Sequence, residues 1–221
     1  MEPFSSLSSL QRDFLASFFE LTDKFFLTGG AALVGAYGLP RRTKDLDLFT
    51  LEPDGFRIAH ELAREAAAKA GAELEALQSF TTFRRYLLRR GNESIEVDLV
   101  HELAPQVSPK KNRQGSLIID PPEEIFANKV CALVGRSEVR DLWDLYQLTQ
   151  RGHNILDGIK DASTKDGGVS VESVLMVISS LNWAAMEKAA QRAEYQDWSK
   201  VVSYFSSLKE ELAMRILPEG E

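Results

Sequence analysis

The chain has 221 residues, with 33 acidic against 26 basic side chains, a formal net charge of −7, one cysteine and three histidines. That charge excludes a general nucleic-acid binder, the lone Cys131 excludes an internal disulfide, and the dispersed His60, His101 and His153 lack zinc-ligand spacing. No apolar run reaches membrane-spanning length and the start MEPFSSLSSLQRDF is polar, so a cytoplasmic protein without membrane contact is expected.

In chain order, Ser8-Ser9-Leu10-Gln11 reads as a capping box opening an amphipathic helix through Leu10, Phe14, Leu15, Phe18 and Leu21. Phe25-Phe26-Leu27 follows as a short buried strand, and Ala31-Ala32-Leu33-Val34 as the first turns of a helix. Gly29 and Gly30 therefore sit at a strand-to-helix junction. Without Cβ atoms they permit a sharp bend and bring backbone N–H groups near an anion, which the helix dipole also attracts. Asp45-Leu46-Asp47-Leu48-Phe49 then alternates with period two, sending Asp45 and Asp47 to one face and Leu46 and Leu48 to a core. Two carboxylates brought side by side out of water are costly unless a cation shares them. Mg²⁺ (or Mn²⁺), which takes carboxylate and phosphate oxygens, is the simplest such cation, and an NTP the simplest phosphate donor. Arg41, Arg42 and Lys44 lie close enough in sequence to serve the triphosphate.

Residues 54–70 are expected to form one helix, and residues 73–100 strands with a hairpin turn at Gly91-Asn92. In the second of those strands Ile95, Val97 and Leu99 share one face and Glu96 and Asp98 the other. Asp98 is thereby the candidate third ligand or general base, set against the plainer reading of a solvated strand residue. Arg84, Arg85, Arg89, Arg90, Lys110, Lys111 and Arg113, interleaved with Phe83 and Tyr86, suit an RNA end, or are ordinarily solvated cations. Pro122 with Glu123 and Glu124 starts a helix that Gly135 ends, and Ser137 is expected to cap the next, which carries Arg140, Asp141 and Asp144. In the bland alternative Arg140 and Asp144 are an i,i+4 surface pair and Asp141 a partner of Arg136. Cys131, among Val130, Ala132 and Leu133, reads as a small core residue. Residues 160–168 read as a flexible linker, with helices following at 171–181 and 198–216. The expected class is α+β: a small mixed sheet flanked by helices, with a C-terminal helical bundle. Residues 1–120 would form the core with the metal site, and 121–221 the far wall of a cleft.

Leu27-Gly29-Gly30, with Thr28 intervening, and Asp45-Leu46-Asp47-Leu48 resemble the signature of the polymerase-beta-type nucleotidyltransferase superfamily. Gly30-Ala31-Ala32-Leu33 and Arg42-Thr43-Lys44-Asp45 are similar, more narrowly, to the AbiEii/AbiGii toxin family, nucleotidyltransferase toxins of type IV toxin–antitoxin systems. Lys129, Arg136 and Arg140-Asp141 match that family's Lys, then Arg, then Arg-Asp arrangement, and the resemblance spans about residues 25–150. It implies the polymerase-beta-type fold and transfer of a nucleoside monophosphate from NTP to an acceptor hydroxyl, releasing pyrophosphate. It further implies an RNA acceptor such as the end of tRNA, and a cognate antitoxin protein. By the same resemblance Lys129 contacts nucleotide phosphate and Asp141 completes the site. Asp45, Asp47 and Asp98 are the metal candidates, and Thr28, Gly29, Gly30, Arg42 and Lys44 the nucleotide candidates. Where the family often has Ser, this chain has Gly30, so a hydroxyl that could help hold phosphate is missing there, although Thr28 is close by. Two readings compete: a nucleotidyltransferase modifying an aminoglycoside, and a non-catalytic nucleotide-binding regulator.

Overall fold

The computed structural model describes residues 4–216. Two compact units divide them, one holding the residues up to Leu103 with Ser108–Pro122, the other Ala104–Val107 with the residues from Glu123 onward.

In the first unit α1 (Ser9–Leu21) starts from the expected capping box. The Ser8 hydroxyl accepts from the Gln11 N–H at 3.3 Å, and the Gln11 side chain accepts from the Ser8 N–H at 2.9 Å. Helical spacing buries Leu10, Phe14, Leu15 and Phe18, and the Phe18 ring meets Phe25 edge-on with centroids 5.3 Å apart. The strands are β1 (Phe26–Thr28), β2 (Asp45–Thr50), β3 (Glu73–Ser79), β4 (Phe83–Arg90), β5 (Glu93–His101), β6 (Asn112–Gln114) and β7 (Leu117–Ile119). They form one seven-stranded sheet in the order β3-β4-β5-β2-β1-β7-β6. Pairs β2/β5 and β1/β7 run parallel and the other neighbours antiparallel, so the sheet is mixed. Leu46, Leu48, Val97 and Leu99 are buried to completion, each contributing roughly 1.5–3 kcal/mol. A one-residue slip would exchange them for carboxylates, which is what fixes the register.

Between β1 and β2 the chain forms the short α2 (Gly29–Gly35) and a loop through residues 36–44. Gln11, 1% exposed, donates to the Thr43 carbonyl at 3.2 Å, so α1 ties down the segment that carries Arg41 to Lys44. The single helix expected over residues 54–70 is two, α3 (Pro53–Arg57) and α4 (Ala59–Lys69), because Ile58 leaves helical geometry at φ −91° and ψ 5°. Gly91-Asn92 does close a hairpin, with Gly91 at φ +57° and Arg90 opposite Glu93.

The second unit is helical, with α5 (Pro122–Gly135) entering it at Glu123, then α6 (Val139–Thr149), α7 (Ile155–Lys165), α8 (Val171–Ser180), α9 (Trp183–Arg192) and α10 (Trp198–Ile216). Ile125, Val130, Leu133, Leu142, Leu145 and Phe205 are among its buried residues, and the Trp143 indole stacks on Tyr195 at 5.2 Å while donating to the Gln196 carbonyl. Two local expectations fail. Ser137 sits at φ +53° and its hydroxyl donates to the Leu133 carbonyl, so it closes α5, and Glu138 is the residue preceding α6. Residues 160–165, read as linker, complete α7: Asn154 caps it, Ile155, Ile159 and Ala162 are buried at helical spacing, and Lys165 is ion-paired with the buried Glu124. Cys131 is half-buried, its thiol 3.7 Å from the Ala162 carbonyl. Among the described residues no helix is long and apolar enough to cross a membrane.

Candidate active site

The glycine turn is built by close approach. Gly29 takes φ +61°, a region that costs an L residue roughly 1–2 kcal/mol. A Cβ there would also overlap the Asp47 carboxylate, whose Cγ lies 2.9 Å from its position. The aspartate of β2 thus rests directly on the backbone of residue 29. At Gly30 a Cβ would meet the Arg41 guanidinium at 2.8 Å and the Thr43 hydroxyl at 3.2 Å. Arg41 and Thr43 are half-buried over this turn, whereas Arg42 and Lys44 are exposed. Thr43 therefore brings a hydroxyl to the turn, a placement its own sequence position did not advertise.

The carboxylates are positioned by register. Thr28 lies opposite Asp47, Asp47 beside Asp98, and Asp98 opposite Arg85, so one row crosses β1, β2, β5 and β4. Asp45 pairs with Glu96 two residues earlier. Cross-strand partners point to the same side of a sheet, so Asp45, Asp47, Glu96 and Asp98 share a face, opposite the buried Leu46, Leu48, Val97 and Leu99.

Within that row the four side chains are not equivalent. Asp98, 8% exposed, has both oxygens engaged by Arg85, Oδ1 by Nε at 2.8 Å and Oδ2 by Nη2 at 2.7 Å. Arg85 also reaches Glu96 at 3.5 Å and lies 5.5 Å over the Phe83 ring. The Asp98 hydrogen bonds, then the charges of Asp98, Glu96 and Asp45, hold the guanidinium pKa well above its ordinary value despite partial burial. At the other end of the row the Thr28 hydroxyl is buried and has no hydrogen-bond partner among the described residues.

Among the described residues no three His, Cys, Asp or Glu side chains converge as a ready ligand set for a metal ion. The two-carboxylate part nevertheless fits a divalent cation. Asp45 and Asp47 are hard oxygen donors on one face, the turn at Gly29 leaves no room for a side chain against Asp47, and the orphaned Thr28 hydroxyl lies on the same face.

Lys129 and Asp141 occupy the second unit. The Lys129 ammonium, 7% exposed, lies 2.8 Å from Asp141 and 2.8 Å from Asp144, both completely buried. Arg136 adds a two-point fork to Asp141 at 2.9 and 3.0 Å. Burial alone would raise the Asp141 carboxyl, but the Lys129 charge and the hydrogen bonds of Arg136 and Lys129 outweigh it and hold the pKa below the usual value. The Arg136–Asp141 pairing of the bland alternative is thus present. Arg140 lies 2.7 Å from Glu138, and Asp144, expected at the surface, is fully buried and faces Lys129.

The mixed sheet, with a Gly-Gly turn beside an Asp-x-Asp strand and a further aspartate on the neighbouring strand, is the arrangement the sequence led one to expect. The chain belongs to the AbiEii family, described as nucleotidyl transferase AbiEii toxin of type IV toxin–antitoxin systems, whose family model matches residues 13–211. That match extends well beyond the stretch of about residues 25–150 over which the sequence resemblance was recognisable. Among solved structures the chain is similar to JHP933 from Helicobacter pylori, with 18% identity and a TM-score of 0.65 over 94% of this chain and 90% of that one. It is also similar to MenT4, a nucleotidyltransferase toxin from Mycobacterium tuberculosis, with 15% identity and a TM-score of 0.54 over 93% of this chain and 91% of that one. At these identities the likeness is one of fold. A comparison with curated proteins gives no match.

Proposed function

We infer that this nucleotidyltransferase moves a nucleoside monophosphate from an NTP to a hydroxyl of RNA, tRNA foremost, with Mg²⁺ or Mn²⁺ held at Asp45 and Asp47. The observation that carries the reading is the row Thr28–Asp47–Asp98 set against the Gly29 backbone, in a chain of a nucleotidyltransferase toxin family.

Asp45 and Asp47 are the metal-holding pair and Asp98 the third carboxylate. When bound, the divalent cation neutralises phosphate charge and polarises the reacting oxygens. The bend at Gly29 and Gly30 admits phosphate to the backbone, with the Thr28 hydroxyl, Arg41 and Thr43 beside it and the exposed Arg42 and Lys44 offering further donors. Asp98 takes the proton of the acceptor hydroxyl. Lys129 and Asp141 are assigned to the triphosphate and to completion of the site by the family pattern alone. An antitoxin partner follows from the family.

Within the basic cluster Arg85, Arg89, Arg90 and Lys111 are each paired with an acid, which weakens their case as acceptor contacts and leaves Arg84, Lys110 and Arg113 as its candidates for an RNA acceptor. Membership of a nucleotidyltransferase toxin family is what supports a macromolecular acceptor over a small molecule. Incubation with Mg²⁺, each labelled NTP in turn and total tRNA tests the assignment. Label on RNA is the expected result. Label on an added aminoglycoside would move the acceptor to a small molecule, and nucleotide binding with no transfer to either would make the chain a regulator.

A further inference from the structure

The third candidate carboxylate, Asp98, is already bound to a cation, and that cation is part of the chain. Arg85 takes both Asp98 oxygens, the same atoms a metal ion would need. Its guanidinium is also placed to let go. Glu96, on the same face, stands 3.5 Å from Nη1 as a second carboxylate, Phe83 offers a ring beneath the guanidinium, and the Arg85 side chain is 36% exposed. An arginine leaving Asp98 would therefore pass to another anion and to water, and would not be stranded as an unpaired buried charge.

We propose that Arg85 is a resident counter-ion which Asp98 exchanges for the divalent cation, so that this residue sets the threshold for metal binding and holds the third ligand out of the site until then. The proposal rests on the metal reading of Asp45 and Asp47 given above. Arginine and a divalent cation compete for the same carboxylate, so the hold of one weakens that of the other. Removing the guanidinium also leaves Asp45, Asp47, Glu96 and Asp98 more negative together, which acts in the same direction.

The test is Mn²⁺ binding without nucleotide, read by electron paramagnetic resonance of the free ion and by the Mn²⁺-induced rise in melting temperature. The natural protein is compared with Arg85→Gln, Arg85→Lys and Asp47→Asn, each checked for folding by circular dichroism. Arg85→Gln is expected to bind Mn²⁺ roughly tenfold or more tightly, and Arg85→Lys, which keeps the charge but not the fork, to fall between. Should Arg85→Gln not fold, Arg85→Lys decides by the same criterion. Equal or weaker binding by the folded variant overturns the proposal and makes Arg85 a fixed brace. If Asp47→Asn loses Mn²⁺ binding in that case, the metal reading stands and the exchange alone fails. If Asp47→Asn leaves Mn²⁺ binding unchanged, both fail.

Discussion

The carboxylates of the two units are each held by cations, but in opposite surroundings. On the sheet, Asp98 is gripped by an arginine whose side chain is 36% exposed, while in the helical unit Lys129 is 7% exposed between two fully buried aspartates. The first arrangement can trade its cation with solvent. In the second, a vacated carboxylate would meet little water. Identical charge types therefore sit in opposite surroundings, one reachable by solvent and one buried.

Stability measurements can break that contrast. Lys129→Ala is expected to lower unfolding free energy by about 3–5 kcal/mol in urea, since it strands Asp141 and Asp144. Arg85→Gln should cost only about 1–2 kcal/mol, between the ranges for exposed and buried pairs. Equal losses would erase the distinction. Lost activity in Lys129→Ala consequently says little about chemistry unless the variant is shown to be folded.

Gly29→Ala sharpens the picture of the sheet unit. Backbone strain of roughly 1–2 kcal/mol adds to a collision with the Asp47 carboxylate, so both stability and transfer should fall, whereas Gly38→Ala, also at positive φ but with open space around it, should show the strain alone. If the two variants transfer nucleotide equally well, the Gly29–Asp47 approach has no functional weight.

The smallest effect is in the pH dependence. Asp141 titrates below its unfolded value, so its stabilisation is present above about pH 4 and is lost as pH falls through the folded pKa. His153, its ring centroid 5.2 Å from that of Phe126 and its pKa lowered by burial, resists protonation when folded, so stability should already decline as pH drops below about 6.5. Urea midpoints of the natural protein, Asp141→Asn and His153→Gln across pH 3 to 8 separate the two. A His153→Gln protein with an undiminished decline between pH 7 and 5 would remove the histidine from the account.

Much of the site was legible because period-two alternation is a strong local signal. Asp45-Leu46-Asp47-Leu48 and Ile95-Glu96-Val97-Asp98 declared their faces, and the residues of the glycine turn declared the junction. The Arg85–Asp98 fork was latent in the same text. A two-residue hairpin at Gly91-Asn92 sets Arg90 against Glu93, and stepping back along both strands sets Arg85 against Asp98. What stayed hidden depended on distant context. The three-residue strands β6 and β7 have too few residues for a pattern, and the polar surface of residues 160–165 concealed a helix whose buried stripe, Ile155, Ile159 and Ala162, begins upstream. Asp144 faces Lys129 only because two helices pack, which no single window reveals.

The central claim is that Asp47 holds the ion on which transfer depends. It is tested most directly by the rate of labelled nucleotide transfer from NTP by the natural protein and by Asp47→Asn, with urea unfolding of both alongside. A fall of roughly a thousandfold in rate with an unchanged unfolding midpoint is predicted. Transfer persisting at the natural rate in the folded Asp47→Asn protein would contradict the account.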